Sequence, residues 1–217
     1  MTTPQRPRPR LYLVTPPLGE TQAFAAEVAA ALDAGDVAAL LLRLQAADER
    51  TLTNRAKTLA PLVQRRDVAL ILDGEPQIAV RAGADGAHLR GVAALAEAIG
   101  TLKPERIAGV GALRSRHDAM LAAETGADYL MFGEIDRSGT RLPFPAVIER
   151  LTWWSELFEP PCVGYAASLD EVAAIADTGA DFVALGEWIW TQTPGPAAAI
   201  EQAARRIAEA LASSGPA

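Results

Sequence analysis

Three observations predict that this chain folds as a single-domain (β/α)8 TIM barrel. The phrase Gly-Ala-Asp recurs at Gly83-Ala84-Asp85, Gly126-Ala127-Asp128 and Gly179-Ala180-Asp181, with a looser relative at Ala34-Gly35-Asp36. Each copy stands between a helical pattern and a short apolar run, so one α-to-β unit repeats. The runs are continuous rather than alternating, as in Tyr129-Leu130-Met131-Phe132. A strand covered on both faces reads that way, and parallel sheets are covered on both faces. Finally, eight strand–helix units fit within the 217 residues, near the lower size limit of such a barrel. The rival architecture, a doubly wound open sheet, usually has fewer strands, and the first βα turn here lacks its G-x-G-x-x-G loop.

Met1 to Arg10 is basic and proline-rich with no long apolar stretch behind it, and reads as a flexible arm rather than a signal peptide. The barrel is expected over 11–211. Strand one is Leu11 to Thr15, stopped by Pro16-Pro17, and a helix follows from Ala23 to Ala34. Strand two, Val37 to Arg43, ends on a charge; Asp48 or Thr51 then caps a helix running to about Arg66. Strand three is Val68 to Asp73, with a short helix from Glu75 to Ala82. Strand four is Gly86 to Leu89 and its helix Val92 to Ile99; strand five is Arg106 to Gly111, with Ser115 capping a helix that ends near Thr125. Gly126 can take the left-handed conformation that closes that helix.

Strand six is Tyr129 to Phe132, followed by a loop from Glu134 to Pro145 and a helix from Val147 to Leu157. Strand seven is Cys162 to Tyr165, with Ser168 capping a helix to Thr178. Strand eight is Phe182 to Gly186, the last helix is Pro196 to Leu211, and 212–217 should fray.

A net charge of −7 and a pI near 4.9 argue against a nucleic-acid or anionic-membrane surface. No apolar run reaches the ~18 residues needed to span a bilayer. Cys162 is the only cysteine, so no internal disulfide and no cysteine-built zinc site can form, which fits a reducing cytoplasm.

In a barrel of this kind, chemistry collects on the loops after the strands. Arg43 is either a strand end reaching water or a bidentate clamp for phosphate. Asp73 either begins the turn at Gly74 or orients a substrate group. Glu134, directly after the glycine that ends strand six, is a solvated loop residue or a general base. Ser138-Gly139-Thr140-Arg141 combines hydroxyls, a flexible backbone and a cation, as phosphate loops often do. His88 reads as a satisfied core histidine and His117 as a surface one, too isolated to make a metal site. Trp188 and Trp190 are expected to pack, against Trp153 or Trp154, rather than to wall a ligand pocket. Arg205-Arg206 reads as a solvated helix face.

From Leu11 to Ala208 the chain resembles the thiamine phosphate synthase family and its thiazole tautomerase relatives. The phrases that carry the resemblance are Leu11-Tyr12-Leu13-Val14-Thr15, Gly83-Ala84-Asp85-Gly86-Ala87-His88-Leu89, Gly109-Val110 and Gly126-Ala127-Asp128-Tyr129. It implies the barrel fold and a transferase that joins an aminopyrimidine methyl diphosphate to a thiazole phosphate, releasing pyrophosphate with magnesium. It also implies a diphosphate-binding Gln-x-Arg-x-Lys motif after strand two. Those places here read Leu41, Arg43 and Gln45, so only the arginine is kept.

An Asn-Asp pair after strand three falls on Asp73 and Gly74, and a second metal aspartate falls near Ala93. Neither metal-binding aspartate is therefore found, and no metal ligand is assigned. A serine after strand five falls near Gly111, the lysine of the hydroxyl-rich loop falls on Arg141 with Thr140 kept and Ser138 conservative, a glycine pair that cradles phosphate falls on Ala166 and Ala167, and a serine at strand eight falls on Glu187. The tautomerase relatives place a catalytic histidine where Glu134 stands.

The reading that follows is a phosphate-binding thiamine-biosynthesis barrel with a degenerate active site. Losing metal carboxylates and a lysine removes stabilisation of the departing diphosphate, so synthase activity is expected to be weak. A tautomerase-like enzyme using Glu134, or a non-catalytic phosphate-binding or regulatory barrel, are the alternatives. The expected partner is a small phosphorylated substrate, with neither nucleic acid nor membrane, and self-association as a homodimer is left open.

Overall fold

The computed structural model describes residues 8–136 and 139–213. Eight parallel strands, β1 (Arg10–Val14), β2 (Val37–Leu42), β3 (Ala69–Asp73), β4 (Gly86–Arg90), β5 (Ile107–Gly111), β6 (Tyr129–Phe132), β7 (Cys162–Ala166) and β8 (Phe182–Leu185), pair in chain order. The ring closes where β8 pairs with β1, Val183 opposite Leu11. Eight helices alternate with them: α1 (Thr21–Asp33), α2 (Glu49–Gln64), α3 (Pro76–Ala82), α4 (Val92–Leu102), α5 (Arg116–Glu124), α6 (Phe144–Leu157), α7 (Leu169–Asp177) and α8 (Pro196–Ser213). This is the expected (β/α)8 barrel.

Alternation along each strand divides the buried side chains into two layers. Tyr12, Val14, Leu41, Ile71, Met131 and Val163 fill the inside of the ring. Leu11, Leu13, Leu40, Leu42 and Leu70 point outward and are covered by helix residues such as Leu59, Val147 and Ile200. Both faces are apolar, which is why the strands read as unbroken runs.

The repeated phrase has a common structural task. Its glycines, Gly83, Gly126 and Gly179, have φ of 72°, 101° and 82° and turn the chain out of a helix. Its aspartates then tie the next strand to the previous one. The carboxylates of Asp85, Asp128 and Asp181 accept the backbone N–H of Leu70 at 2.7 Å, Ala108 at 2.7 Å and Cys162 at 2.8 Å. Those N–H groups lie where β3, β5 and β7 begin. Asp36, in the looser copy, takes the guanidinium of Arg10 at 2.9 Å instead.

Several boundaries differ from expectation. Arg10 belongs to β1 and Arg8 donates to the carbonyl of Ala204 at 2.9 Å, so the end of the expected arm is fixed to the barrel. α6 begins at Phe144, three residues early, because Pro145 fits the first turn of a helix. α8 continues to Ser213, two residues past Leu211. A 3-10 helix over Glu187–Thr191, directly after β8, was not anticipated. Trp190 packs on Phe24 of α1, with ring centroids 4.9 Å apart, rather than on the tryptophans of α6. His117 and Arg205-Arg206 are exposed, as expected. Among the described residues, no helix is long and apolar enough to cross a membrane.

Candidate functional site

A cavity of about 730 Å³ opens at the C-terminal ends of the strands. Arg43 follows β2, Asp73 ends β3, Arg90 ends β4, and Tyr165, Ala167, Glu187 and Trp188 come from the β7 and β8 ends; all line it. Its polar wall is one connected network. Arg90 grips both oxygens of Asp73, at 3.2 and 2.9 Å. Arg43 Nη1 donates to Glu187 Oε1 at 2.5 Å, and its Nε lies 3.4 Å from Asp73 Oδ2. That Nε is buried without a hydrogen-bond partner. The indole N–H of Trp188 donates to the carbonyl of Ala166 at 3.0 Å, holding the 3-10 helix against β7.

Inside the ring lies a second polar group. Glu134 turns inward with only 2% of its side chain exposed, and its Oε2 is 3.1 Å from His88 Nε2. His88 Nδ1 is 2.9 Å from the hydroxyl of Tyr129, which is 2.7 Å from that of Tyr12. Burial raises both phenols above their ordinary value, so they keep their protons. A carboxylate facing Nε2 requires a proton there. Glu134, His88, Tyr129 and Tyr12 thus form one continuous hydrogen-bonded chain.

Burial alone would push the Glu134 carboxyl up, but His88 beside it, with Arg90 and Arg43 also contributing, holds it below the usual glutamate value. Its Oε1 is buried with no hydrogen-bond partner. Two glycines make room for this group: a Cβ on Gly109 would lie 2.0 Å from the Tyr129 ring, and one on Gly111 would lie 1.6 Å from Glu134 Oε2.

The thiamine monophosphate synthase family model matches residues 11–208. The chain belongs to that family. It is 45% identical over 194 residues to the thiamine-phosphate synthase of Rhodospirillum centenum, covering 88% of this chain and 94% of that protein. Identity to the thiamine-phosphate synthase of Hyphomonas neptunium is 35%, over 97% of this chain and 99% of the relative. Among solved structures, thiamine phosphate pyrophosphorylase from Pyrococcus furiosus superposes with a TM-score of 0.75 at 24% identity, covering 95% and 98% of the two chains. The 3-hexulose-6-phosphate synthase of Salmonella typhimurium gives 0.70 at 20% identity, over 95% and 100%. At these identities the structures speak for the fold alone.

Set in this family's barrel, the residues singled out in the sequence part into three groups. Arg43, Asp73, Ala167 and Glu187 line the cavity, and Glu134 lies within the ring. Arg141 reaches the same rim but serves as a strap: Nε donates to the carbonyl of Gly133 at 2.5 Å, Nη2 to that of Tyr165 at 2.6 Å, and Nη1 to Glu171 at 2.6 Å. Glu171 also takes the backbone N–H of Ala167 at 2.7 Å, so that donor faces protein, and Ala166 is buried. Gln45 folds back to the carbonyl of Pro17, and the backbone N–H of Thr140 donates to Asp136 at 2.9 Å. Ser138 lies outside the described residues.

Magnesium, which the resemblance implies, finds no ready-made cluster of side-chain ligands: among the described residues no three His, Cys, Asp or Glu side chains are grouped so as to hold a metal ion. Asp73 is already engaged by guanidinium groups, and Gly74 beside it brings no ligand. A preformed magnesium site needs free carboxylate or carbonyl oxygens in octahedral array.

Sequence reasoning did not assign roles to Arg90, to the tyrosine pair or to Trp188 as a cavity wall. Arg90 had a usable signal. It stands two residues after His88, so on a strand both point into the ring. Nothing local could reveal that Tyr12 meets Tyr129, 117 positions later.

Proposed function

We propose that this protein acts in thiamine biosynthesis, binding a thiazole phosphate or a pyrimidine phosphate in the cavity at the C-terminal rim, with weak synthase turnover. The observation that carries the reading is the pair of guanidinium groups, Arg43 and Arg90, in the wall of a cavity where this family's barrel puts its chemistry. Guanidinium groups suit phosphate oxygens, which they bind in a bidentate manner. In the synthase reaction the thiazole nitrogen bonds to the pyrimidine methylene carbon and the carbon–oxygen bond to diphosphate breaks. Here the leaving group would be met by Arg43 and Arg90, both already engaged by carboxylates, and among the described residues no three His, Cys, Asp or Glu side chains are grouped to hold a divalent ion. Weak turnover follows from that balance.

Thiazole phosphate, thiamine phosphate or pyrophosphate should raise the melting temperature of the purified protein. Supplying both synthase substrates with magnesium should give thiamine phosphate slowly. If none of the three ligands moves the melting temperature, the ligand class is wrong. Binding without any product above a no-enzyme control would leave a non-catalytic phosphate-binding barrel. Fast magnesium-dependent turnover would remove the argument from the donor set.

A second reading has its own support in the buried, unpartnered Oε1 of Glu134. That oxygen could take a proton from a bound thiazole phosphate, as in a tautomerase, with His88 holding the other oxygen. Solvent-hydrogen exchange into thiazole phosphate, compared between wild type and Glu134→Gln, tests it. Equal rates would end this role for Glu134.

A further inference from the structure

We infer that Glu187 is a specificity-determining residue that occupies Arg43 as an internal carboxylate, so that an anionic ligand enters only by displacing it. The inference rests on the phosphate-binding reading above. Arg43 has two carboxylate neighbours of unequal freedom. Asp73 is held by two bonds from Arg90 and has 17% of its side chain exposed. Glu187 has 45% exposed and opens the 3-10 helix directly after β8. Arg43 itself is 13% exposed, so its charge has little room to turn toward water. Of these groups, Glu187 is the one that can swing outward, and doing so uncovers Nη1.

A carboxylate and a phosphate oxygen compete for the same guanidinium edge. While Glu187 covers Arg43, the apparent affinity for an anion falls by the fraction of time that Arg43 is uncovered. The surrounding charge acts in the same direction. Among the described residues lining the cavity, Arg43 and Arg90 face four carboxylates, Asp73, Glu75, Asp136 and Glu187, a balance of two negative charges. A ligand must outbid a carboxylate to stay. The site therefore favours ligands that bring several acceptor oxygens to the guanidinium edge, such as phosphate esters and diphosphates, over carboxylic acids of similar size.

Calorimetric titration of the full chain with inorganic pyrophosphate tests this. Glu187→Gln keeps the side chain's size and removes its charge, and should tighten binding about tenfold. Glu75→Gln removes a cavity charge that does not touch Arg43 and should change affinity by less than about twofold. Adding Arg43→Ala to Glu187→Gln should abolish the gain. Equal affinity in wild type and Glu187→Gln overturns the inference and leaves the phosphate-binding reading standing. Equal gains from Glu187→Gln and Glu75→Gln overturn it too, since the effect would be a general field. Binding detectable only in Glu187→Gln supports it. No binding in any variant overturns both this inference and the reading beneath it.

Discussion

Glu134 owes its charge to its neighbours. Burial opposes ionisation, while His88, Arg90 and Arg43 favour it and prevail. Its folded value lies below its unfolded one. The carboxylate thus contributes stability at pH above the ordinary glutamate value of 4.5, and loses it as the pH falls through and below that value. The stability gap between wild type and Glu134→Gln, from urea denaturation, should hold steady between about pH 7 and pH 5. It should then move against the wild type on further acidification. A gap that stays fixed down to about pH 3 would mean that folding leaves the carboxyl's affinity for protons unchanged. Gly111 is bound to the same group by space. Gly111→Ala puts a methyl 1.6 Å from Glu134 Oε2 and 2.7 Å from His88 Nε2, so one of them must move. A loss of about 1–3 kcal/mol in urea titrations is expected, the usual cost of overpacking.

Single elements are fastened by polar groups at both ends of the barrel. At the N-terminal end the repeated aspartates satisfy an N–H at the start of β3, β5 and β7. Asp181→Ala leaves the N–H of Cys162 without its 2.8 Å acceptor at the edge of a buried strand. Chemical denaturation should show a loss of about 1–3 kcal/mol. At the other end Arg141 joins the ends of β6 and β7 to α7 through Glu171. The two side chains are 14% and 17% exposed, which makes this a partly buried pair. Arg141→Ala should cost about 3 kcal/mol, because Glu171 and two carbonyls lose a partner together. The melting-temperature rise produced by pyrophosphate should survive that substitution. Its loss in a still-folded Arg141→Ala protein would show that Arg141 also holds the phosphate.

The whole molecule depends on closure. β8 must pair with β1, and α8 must cover the seam, with Ala199, Ile200, Ala203 and Ile207 buried there. Ile200 packs so near the α1–β2 turn that a Cβ on Gly35 would lie 2.8 Å from its Cγ2. A chain ending at Gly195 would expose that seam. Its circular-dichroism melt should lose the cooperative transition of the full chain; a sharp melt would show that the other seven helices suffice. Closure also gathers the site. Arg43 and Glu187 are 144 positions apart in sequence and 2.5 Å apart in space.

From the sequence alone, the barrel could be read because its causes are local. Apolar runs report burial on both faces, Gly126 and its counterparts report helix ends, and the recurring aspartates mark where each unit turns. Arg43, Asp73 and Glu187 were placed at strand ends on the same logic. Their partners were not legible, because a guanidinium at a strand end has the same local sequence whether it waits for a phosphate or already holds a carboxylate. Only the ring decides that, by bringing β2 beside β3 and the end of β8 across from them. It turned Arg43 and Arg90 into occupied cations, tied Arg141 across the rim, and drew Glu134 inward to a histidine on β4, two strands away around the ring. Those outcomes depend on charges and distances set by closure, which no stretch of sequence contains.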